Sequence, residues 1–307
     1  MVAGARGTGR DAERALTRPR PVIGIGVPVY NGAQYLTPAI ESLLAQSFDD
    51  FDMIISDNAS TDETPEICKE FARRDPRVRY VRQPRNIGGP RNWSFVARQT
   101  QGQYFKWAAA NDVCHRDMLL KCKQVLDEQR GAVLVFPRTQ IINEIGRQGE
   151  VYEDVLELLD ADPCERFVQL LTKIGLNNAQ HGLIRTAPLL QTGLEAPYPA
   201  SDITLLAELA LHGTFVQLPE VLFFRRVAAG ATTLLQTPAE VRRFNDPLRR
   251  HGASFPLWRA CLGRMAAVWR APLTPLQRTR LSLFVIRQMR GNRDRLWNEI
   301  VAEVRLR

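Results

Sequence analysis

Long apolar runs, paired cysteines and histidine clusters are missing from this sequence. No stretch of its 307 residues approaches the roughly 18 to 20 consecutive apolar residues of a membrane-spanning helix, and the first residues lack the apolar core of a signal peptide. The five cysteines are odd in number and show no CxxC spacing, so they indicate neither a disulfide framework nor a zinc ribbon. The four histidines show no metal-ligand spacing. We therefore expect a cytoplasmic protein whose cysteines are buried free thiols.

Lysine is also scarce, and the positive charge is unevenly distributed. Five of the 41 basic residues are lysines, and the other 36 are arginines. Residues 251–307 hold 11 arginines, no lysine and 3 acidic residues, so their net charge of +8 equals that of the whole chain. Residues 1–250 are neutral, and the basic character therefore belongs to the C-terminal segment.

The stretch MIISDNASTDET (53–64) organises the rest of the chain. Its first three residues are apolar and suit a strand buried on both faces of a parallel sheet. Asp57 follows at the strand's carboxyl end, where open α/β sheets bind their ligands. Thr61 or Asp62 can cap the next helix, with Pro65 in its first turn. An Asp in such a loop also commonly closes a turn within its own chain, and this stretch alone does not distinguish the two roles.

Strand and helix signals alternate over residues 22–136. We predict strands over 22–27, 53–55, 78–82, 103–107 and 133–136. We predict helices that begin at Thr37-Pro38, at Thr61-Asp62 and near Arg91-Asn92, and a further helix over 115–130. Alternation with short connections favours an α/β domain with a parallel sheet. The loop before Arg91 carries Gly88, Gly89 and Arg85, a composition that suits an anionic group.

The pattern changes after Gly149. We predict helices over 163–172 and 201–212 and a closing pair of strands over 215–218 and 221–225, separated by Pro219-Glu220. Three basic amphipathic helices follow, around 238–250, 254–270 and 274–306, the last with a break at Gly291. The predicted organisation is therefore a disordered leader (1–20), an α/β domain (21–230) and a basic helical C-terminal extension (231–307).

Five short motifs, most of them at predicted strand ends, are specific in combination. They are VPVYNGAQYL (27–36), SDNASTDET (56–64), RNIGGPRNW (85–93), WAAANDV (107–113), and the Asp202 region followed by LPEVLFFRR (218–226). In this order and at these spacings they resemble the family 2 glycosyltransferases of the GT-A fold, over residues 22–227. The resemblance implies a Rossmann-like, mostly parallel sheet with helices on both faces. It also implies inverting transfer of a sugar from a nucleotide-diphosphate donor, of the UDP or dTDP type, to an acceptor hydroxyl.

The resemblance assigns the nucleotide pocket to four positions near the first two strands. Pro28, Tyr30 and Asn31 would line the pocket, and Asp57 would accept a hydrogen bond from the base. A buried carboxylate of this kind rejects bases that lack the matching donor, because it would be left unpaired. Asn58 departs from the second aspartate that is common in the family.

Three further positions are expected to bind the nucleotide sugar. Arg91 would reach the nucleotide or its phosphates, and Asn111-Asp112 matches the place of the family's aspartate-rich metal motif. Ala109 and Asn111 stand where carboxylates are often found, which leaves Asp112 alone as a metal ligand. Mg²⁺ or Mn²⁺ is held by oxygen donors together with substrate phosphates. We hypothesise that the metal is weakly bound or dispensable.

The diphosphate would then need other positive groups. Arg225 or Arg226 would share its neutralisation, because Ala228-Ala229 stands where relatives often place a histidine.

Asp202 matches the carboxylate that serves relatives as general base. An inverting transfer needs one carboxylate to remove the acceptor hydroxyl's proton during in-line attack, while the departing diphosphate takes up charge. The alternative is that Asp202 lies in the first turn of helix 201–212 only because the helix dipole favours it there.

The basic extension leaves two interpretations open. It is either a solvated helical face that packs on the catalytic domain or a surface that contacts anionic lipid on the inner face of the membrane. Apolar residues interleave with its arginines: Trp258, Trp269, Leu281, Phe284, Ile286 and Trp297. The acceptor would be a carbohydrate, a lipid-linked molecule or a small metabolite, as in polysaccharide or glycolipid biosynthesis.

Two other functions compete with the glycosyltransferase. The metal motif, in which Asp112 is the one remaining carboxylate, would fit a catalytically inactive nucleotide-sugar-binding protein of the same fold. An arginine-rich nucleic-acid binder rests on the extension alone, which lacks motifs for base readout or stacking, so we expect no nucleic-acid partner.

Overall fold

The computed structural model describes residues 20–153, 156–227, 237–249 and 255–305. The predicted leader, apart from Arg20, and the predicted boundary at 230/231 lie outside these ranges, as do Ala228 and Ala229. Within these ranges, no helix is both long enough and apolar enough to cross a membrane.

The described strands form one mixed sheet. They are Ile23–Val29 (β1), Phe51–Asp57 (β2), Val78–Arg82 (β3), Tyr104–Trp107 (β4), Val113–Cys114 (β5), Ala132–Ile142 (β6), Gln148–Tyr152 (β7), Leu183–Arg185 (β8) and Thr214–Arg226 (β9). Their order is β3-β2-β1-β4-β8-β6-β9-β5, and β7 pairs with β6. β3, β2, β1 and β4 are mutually parallel, β8 is antiparallel to both neighbours, and β6 and β9 are parallel. The predicted parallel sheet is therefore correct for its first half.

The described helices cover both faces of this sheet. They are Ala33–Leu44 (α1), Thr64–Arg74 (α2), Gly89–Arg98 (α3), Met118–Glu128 (α4), Pro163–Lys173 (α5), Thr186–Gln191 (α6), Ser201–Ala210 (α7), Pro238–Asn245 (α8), Pro256–Arg270 (α9), Pro275–Gly291 (α10) and Arg293–Arg305 (α11). One apolar core lies between the sheet and α1, α2 and α4. A second core lies between the opposite face and α3, α5, α7, α9 and α10.

β1 shows why the two faces pack differently. Ile23, Ile25 and Val27 are buried and point into the core with α1. On the other face, a Cβ at Gly26 would lie 2.6 Å from Cγ2 of Val96, so glycine lets α3 approach the strand closely. The loop before α3 (83–88), which carries Arg85 and Gly88, is thereby held near the central strands.

The predicted start of the first helix at Thr37-Pro38 is wrong, because α1 begins at Ala33. Its first turn is held by residues that follow β2. The amide of Gly32 donates to Oγ1 of Thr64 at 2.9 Å, and the amide of Ala33 donates to Oδ2 of Asp62 at 3.1 Å. These tertiary contacts supply what a local cap would have supplied, so Pro38 lies inside the helix.

The predicted closing pair of strands is a single strand, β9. Leu218 pairs with Pro137 and Val221 with Arg138, so Pro219 and Glu220 bulge out of a continuous ladder with β6. The proline between two apolar runs does interrupt the regular pairing, but it produces a bulge within one strand and not a turn between two strands.

The C-terminal helices pack on the α/β domain. Leu281 and Val285 of α10 are fully buried in the same core as Phe167 and Leu206. The ring of Phe284 meets that of Phe167 edge-on, with centroids 6.3 Å apart. The extension is therefore part of the folded unit. The break at Gly291 was predicted, and α10 ends there.

Candidate active site

Asp57 ends β2 and is fully buried. Its Oδ1 accepts from the amide of Ser60 at 2.7 Å, and its Oδ2 accepts from Tyr80 Oη at 2.9 Å and Arg82 Nη1 at 2.8 Å. Burial, reinforced by the bond to Asp57, raises the pKa of Tyr80 to about 12, so its phenol stays a donor at neutral pH. The turn-closing role left open above is thus observed. A carboxylate offers about four lone-pair sites, and a base could still use the remaining one.

The loop after β1 is tied to the loop after β2. Asn31 has φ of 49°, its amide donates to Ser60 Oγ at 2.9 Å, and its Oδ1 accepts from the amide of Thr61 at 2.8 Å. Pro28 is buried in β1, whereas Tyr30 is 47% exposed. Of these three predicted pocket residues, Tyr30 and Asn31 are exposed, and the Oδ1 of Asn31 is already used by the amide of Thr61.

The contacts of Asn58 explain why an asparagine is favoured here over the aspartate that is common in the family. Its Nδ2 donates to Asn86 Oδ1 at 3.0 Å, and its Oδ1 accepts from the amide of Ile87 at 2.8 Å. An aspartate could accept but not donate at this position. The amide side chain therefore fixes the 83–90 loop beside Asp57.

Arg91, in the first turn of α3, is already paired. Its Nη1 donates to Asp246 Oδ1 at 2.7 Å and to the carbonyl of Ile87 at 3.2 Å. Asp246 belongs to the segment 237–249, which also places the ring of Phe244 over Gly89. The predicted contact of Arg91 with the nucleotide would have to compete with this ion pair.

Asp112 lies beyond β4 and binds the end of β9. Its Oδ1 accepts from the amide of Arg226 at 2.8 Å, and burial raises its pKa to about 6. The Arg226 guanidinium donates to the carbonyls of Asn111, Asn143 and Glu144 at 2.8–3.0 Å and lies 4.8 Å from the centre of the Tyr35 ring. Arg226 is thus buried and used within the chain, whereas Arg225 is partly exposed and makes one side-chain hydrogen bond, to Asn178, among the described residues.

The predicted metal site offers a poor donor set. Within the described ranges, no three His, Cys, Asp or Glu side chains come together in a group that could hold a metal ion. Asp112 is the sole carboxylate of its motif, one of its oxygens is already an acceptor, and the backbone oxygen of Asn111 accepts from Arg226. These residues do not fit a cation held by the protein alone, and the mechanism below contains no step through a metal.

Asp202 lies in the first turn of α7 and is partly exposed. Its Oδ2 accepts from Asn177 Nδ2 at 2.9 Å. The same Nδ2 donates to Gln180 Oε1 at 2.8 Å, and Gln180 Nε2 donates to Glu195 Oε1 at 2.5 Å. A chain of two amides therefore joins two carboxyl groups.

Two asparagines and two arginines connect Asp202 to Asp112. Asn177 binds Asp202, and the neighbouring Asn178 accepts from Arg225 Nη1 through Oδ1 at 2.6 Å. Arg226 then binds Asp112. This series of contacts joins the predicted catalytic residue Asp202 to the predicted donor-binding residue Asp112, which follows β4.

Two buried cationic or titratable groups lie behind this edge. Lys106 is fully buried, donates to the carbonyl of His181 and lies 5.6 Å from the centre of the Phe223 ring. His181 stacks on Phe223 at 5.1 Å, and burial, followed by the charges of Arg225 and Lys106, lowers its pKa well below the ordinary value.

Sequence reasoning missed the polar cluster around Asp202, made by residues 177–181 and Glu195. These residues lie in loops and a short 3₁₀ turn, where no periodicity marks them. The available signal was the polar run NNAQH at 177–181, directly before the apolar β8.

Solved structures identify the fold. This chain is similar to TarS residues 1–349 from S. aureus in complex with UDP, with a TM-score of 0.62 and 16% identity over 87% of this chain and 71% of that one. It is also similar to the mannosyltransferase PcManGT from Pyrobaculum calidifontis in complex with GDP-Man and Mn²⁺, with a TM-score of 0.51 and 15% identity over 96% and 92% of the two chains. The predicted GT-A fold is confirmed.

Sequence comparison identifies the family. Residues 25–181 match the model described as glycosyl transferase family 2, and the chain belongs to that family, as predicted.

Characterised relatives match the chain over part of their length. Chondroitin synthase of Escherichia coli is 33% identical over 119 residues, 38% of this chain and 17% of the relative. The glycosyltransferase GlyG of Streptococcus pneumoniae is 28% identical over 114 residues, 37% of this chain and 38% of the relative. The putative teichuronic acid biosynthesis glycosyltransferase TuaG of Bacillus subtilis is 28% identical over 114 residues, 37% and 45% of the two. The matched segment spans less than half of each relative.

Proposed function

We propose that this chain is an inverting glycosyltransferase that moves a sugar from a UDP or dTDP donor to an acceptor hydroxyl. The observation that carries the proposal is the placement of Asp202. Its partly exposed carboxylate accepts from Asn177, and the contacts of Asn178, Arg225 and Arg226 connect this position to Asp112. An aspartate there only to interact with the helix dipole would not need a buried amide network behind it.

In this mechanism Asp202 acts as the general base. Its Oδ1 receives no hydrogen bond from the described residues, so it is free to take the proton of the acceptor hydroxyl during in-line attack on the anomeric carbon. The departing diphosphate gains charge, which Arg225 is placed to offset. Asp57 reads the base and Tyr30 contributes its exposed ring.

Donor and product classes follow from the relatives. TarS binds UDP and UDP-GlcNAc, and PcManGT binds GDP-Man, which supports a nucleotide-sugar donor here. The names of chondroitin synthase and of the putative teichuronic acid biosynthesis glycosyltransferase TuaG support a polysaccharide product here. A metal, Mg²⁺ or Mn²⁺, would bind weakly through Asp112 and the donor phosphates or be dispensable.

The test combines donor binding with turnover. A thermal-shift panel of UDP, dTDP and GDP and their sugar conjugates is run with Mg²⁺, with Mn²⁺ and with EDTA. A ligand at a hundred times its Kd should add about 2.7 kcal/mol to the free energy of unfolding. Stabilisation by UDP or dTDP that persists in EDTA is the expected result.

Asp202→Asn should then lower turnover by roughly 10²- to 10⁴-fold and leave the donor Kd unchanged. Near-normal turnover in this variant would remove Asp202 as the base. Donor binding by the wild type without hydrolysis or transfer would instead favour the inactive nucleotide-sugar-binding protein.

A further inference from the structure

We propose that Glu195 is a positioning residue for Asp202 and acts on it through Gln180 and Asn177. Its role is to fix the orientation of the two intervening amides, so that the base presents one defined oxygen to the acceptor. This inference rests on the proposed function of Asp202 as general base.

The direction of each hydrogen bond between Glu195 and Asp202 supports this proposal. Gln180 Nε2 donates to Glu195 Oε1 at 2.5 Å, so the amide oxygen of Gln180 must point the other way, to Asn177. Asn177 meets that oxygen with Nδ2 and uses the second hydrogen of Nδ2 on Asp202 Oδ2 at 2.9 Å. In this network Oε1 of Glu195 accepts, which orients both amides so that Asp202 meets a donor at the other end.

The opposite amide orientation would harm the base. If Gln180 turned over, its Nε2 would face Asn177 Nδ2, and Asn177 would turn its oxygen toward the Asp202 carboxylate. Two acceptors in contact repel, and the carboxylate would leave the position in which Oδ1 is open. Gln180 is 4% exposed, so water cannot easily compensate for a misoriented amide.

Glu195 is itself held firmly by its backbone. Its carbonyl accepts from Ser94 Oγ of α3 at 2.7 Å, and the preceding Leu194 has φ of 53°. Burial, followed by the charge of Asp202, raises the pKa of Glu195 well above its ordinary value. No salt bridge to Glu195 occurs among the residues that the structure describes.

The experiment replaces Glu195 and asks whether the effect passes through Asp202. Glu195→Leu removes the acceptor and keeps the size of the side chain. Transfer turnover should fall about 10- to 100-fold, as expected for a misplaced catalytic group, while the donor Kd stays within about twofold. Glu195→Gln retains an acceptor oxygen and should recover most of the lost turnover.

A double-mutant cycle separates positioning from structural damage. In an Asp202→Asn background, Glu195→Leu should cause no further loss of the residual rate. Gln180→Leu, which cuts the middle of the network, should behave in the same way and carries the test if Glu195→Leu fails to fold. Glu208→Gln is the matched control, because Glu208 is a buried carboxylate on α7 that pairs with Arg270 and accepts from the amide of Gly193 but forms no hydrogen bond with Gln180, Asn177 or Asp202 among the described residues. Its glutamine retains an acceptor for Gly193, and turnover should stay near wild type.

The possible failures are distinguishable. Normal turnover in Glu195→Leu, or an equal loss with and without Asp202, overturns this inference alone. Near-normal turnover in Asp202→Asn overturns the proposed function instead.

Discussion

Arg91 Nη1 lies 2.7 Å from Asp246 Oδ1, and this ion pair joins the loop beside the predicted nucleotide pocket to a segment 155 residues later. Arg91 is one of the residues expected to contact the donor, and Asp246 lies in the C-terminal extension. The extension therefore contacts a residue of the proposed donor site.

Removal of the Asp246 charge should release Arg91. In Asp246→Asn we expect the Kd for UDP or dTDP to fall by about fivefold, because a partly exposed ion pair of up to ~1 kcal/mol no longer competes with the diphosphate. Isothermal titration measures the change. Arg259 lies 3.9 Å from the other oxygen of Asp246, and Arg259→Gln is the control that should leave the Kd unchanged. Weaker binding in Asp246→Asn would show that the pair supports the site and does not compete with it.

The contact between Phe244 and Gly89 should tolerate no side chain. A Cβ at Gly89 would lie 2.4–3.0 Å from three ring atoms of Phe244. Gly89→Ala should therefore lower the free energy of unfolding by roughly 1–3 kcal/mol, because the ring and segment 237–249 must move. Urea denaturation measures the loss, and Gly131→Ala, where a Cβ meets nothing within 4 Å, should be close to neutral. Equal stabilities for the two variants would mean that the segment does not rest on the α3 loop.

The contacts of Arg91 with Asp246 and of Gly89 with Phe244 could not be predicted from the sequence. The strand ends that carry Asp57 and Asp112 were predictable, because parallel strands align their carboxyl ends and polar residues follow each apolar run. The partner of Arg91 was not, because Asp246 is 155 residues away and no local pattern connects them. Gly89 was predicted to lie in the loop, whereas it is the first residue of α3, and its contact with the ring of Phe244 could not be predicted.

The same limit applies to the base. Asp202 was predicted from a resemblance, whereas its supports Asn177 and Glu195 lie in irregular segments that only the tertiary structure brings together. Likewise, Pro38 suggested a helix start because the contacts that begin α1 at Ala33 come from the loop at Asp62 and Thr64.

Buried His181 should make the protein sensitive to mild acid. Its folded-state pKa lies well below the ordinary 6.5, so the unfolded chain binds a proton that the folded chain does not. Stability should therefore fall as the pH drops below about 6.5, by up to ~1.4 kcal/mol per pH unit for this group. Lys106 and Arg225 strengthen the effect, because both disfavour a charged imidazole.

Urea denaturation of His181→Gln between pH 7 and pH 5 checks this. The variant should lose stability less steeply than the wild type, and the half-buried His212, whose pKa burial also lowers, should account for part of the slope that remains. The exposed His115→Gln serves as control and should keep the wild-type slope. Identical slopes in all three proteins would refute the prediction.

The last prediction concerns lipid binding by the C-terminal helices, which no comparison addresses. Leu281 and Val285 share a core with the α/β domain. Truncation of the chain at residue 238 would expose that core, so a loss of vesicle binding could not be attributed to the helices alone. Point substitutions are needed. Trp297 is 63% exposed at a groove of about 370 Å³ that Ile286, Arg290 and Arg293 also line. Exposed tryptophan beside arginine suits an interface with anionic lipid.

Full-length protein should therefore co-sediment with phosphatidylserine-containing vesicles and not with purely zwitterionic ones. Trp297→Ser combined with Arg293→Gln should weaken this binding by roughly tenfold, given about 1 kcal/mol for the arginine and a further loss of apolar burial. Arg73→Gln, on the exposed face of α2 in the α/β domain, removes one charge elsewhere and should leave binding unchanged. Equal retention on both vesicle types, or equal binding by the double variant and the wild type, would favour the interpretation in which the basic helices only pack on the catalytic domain.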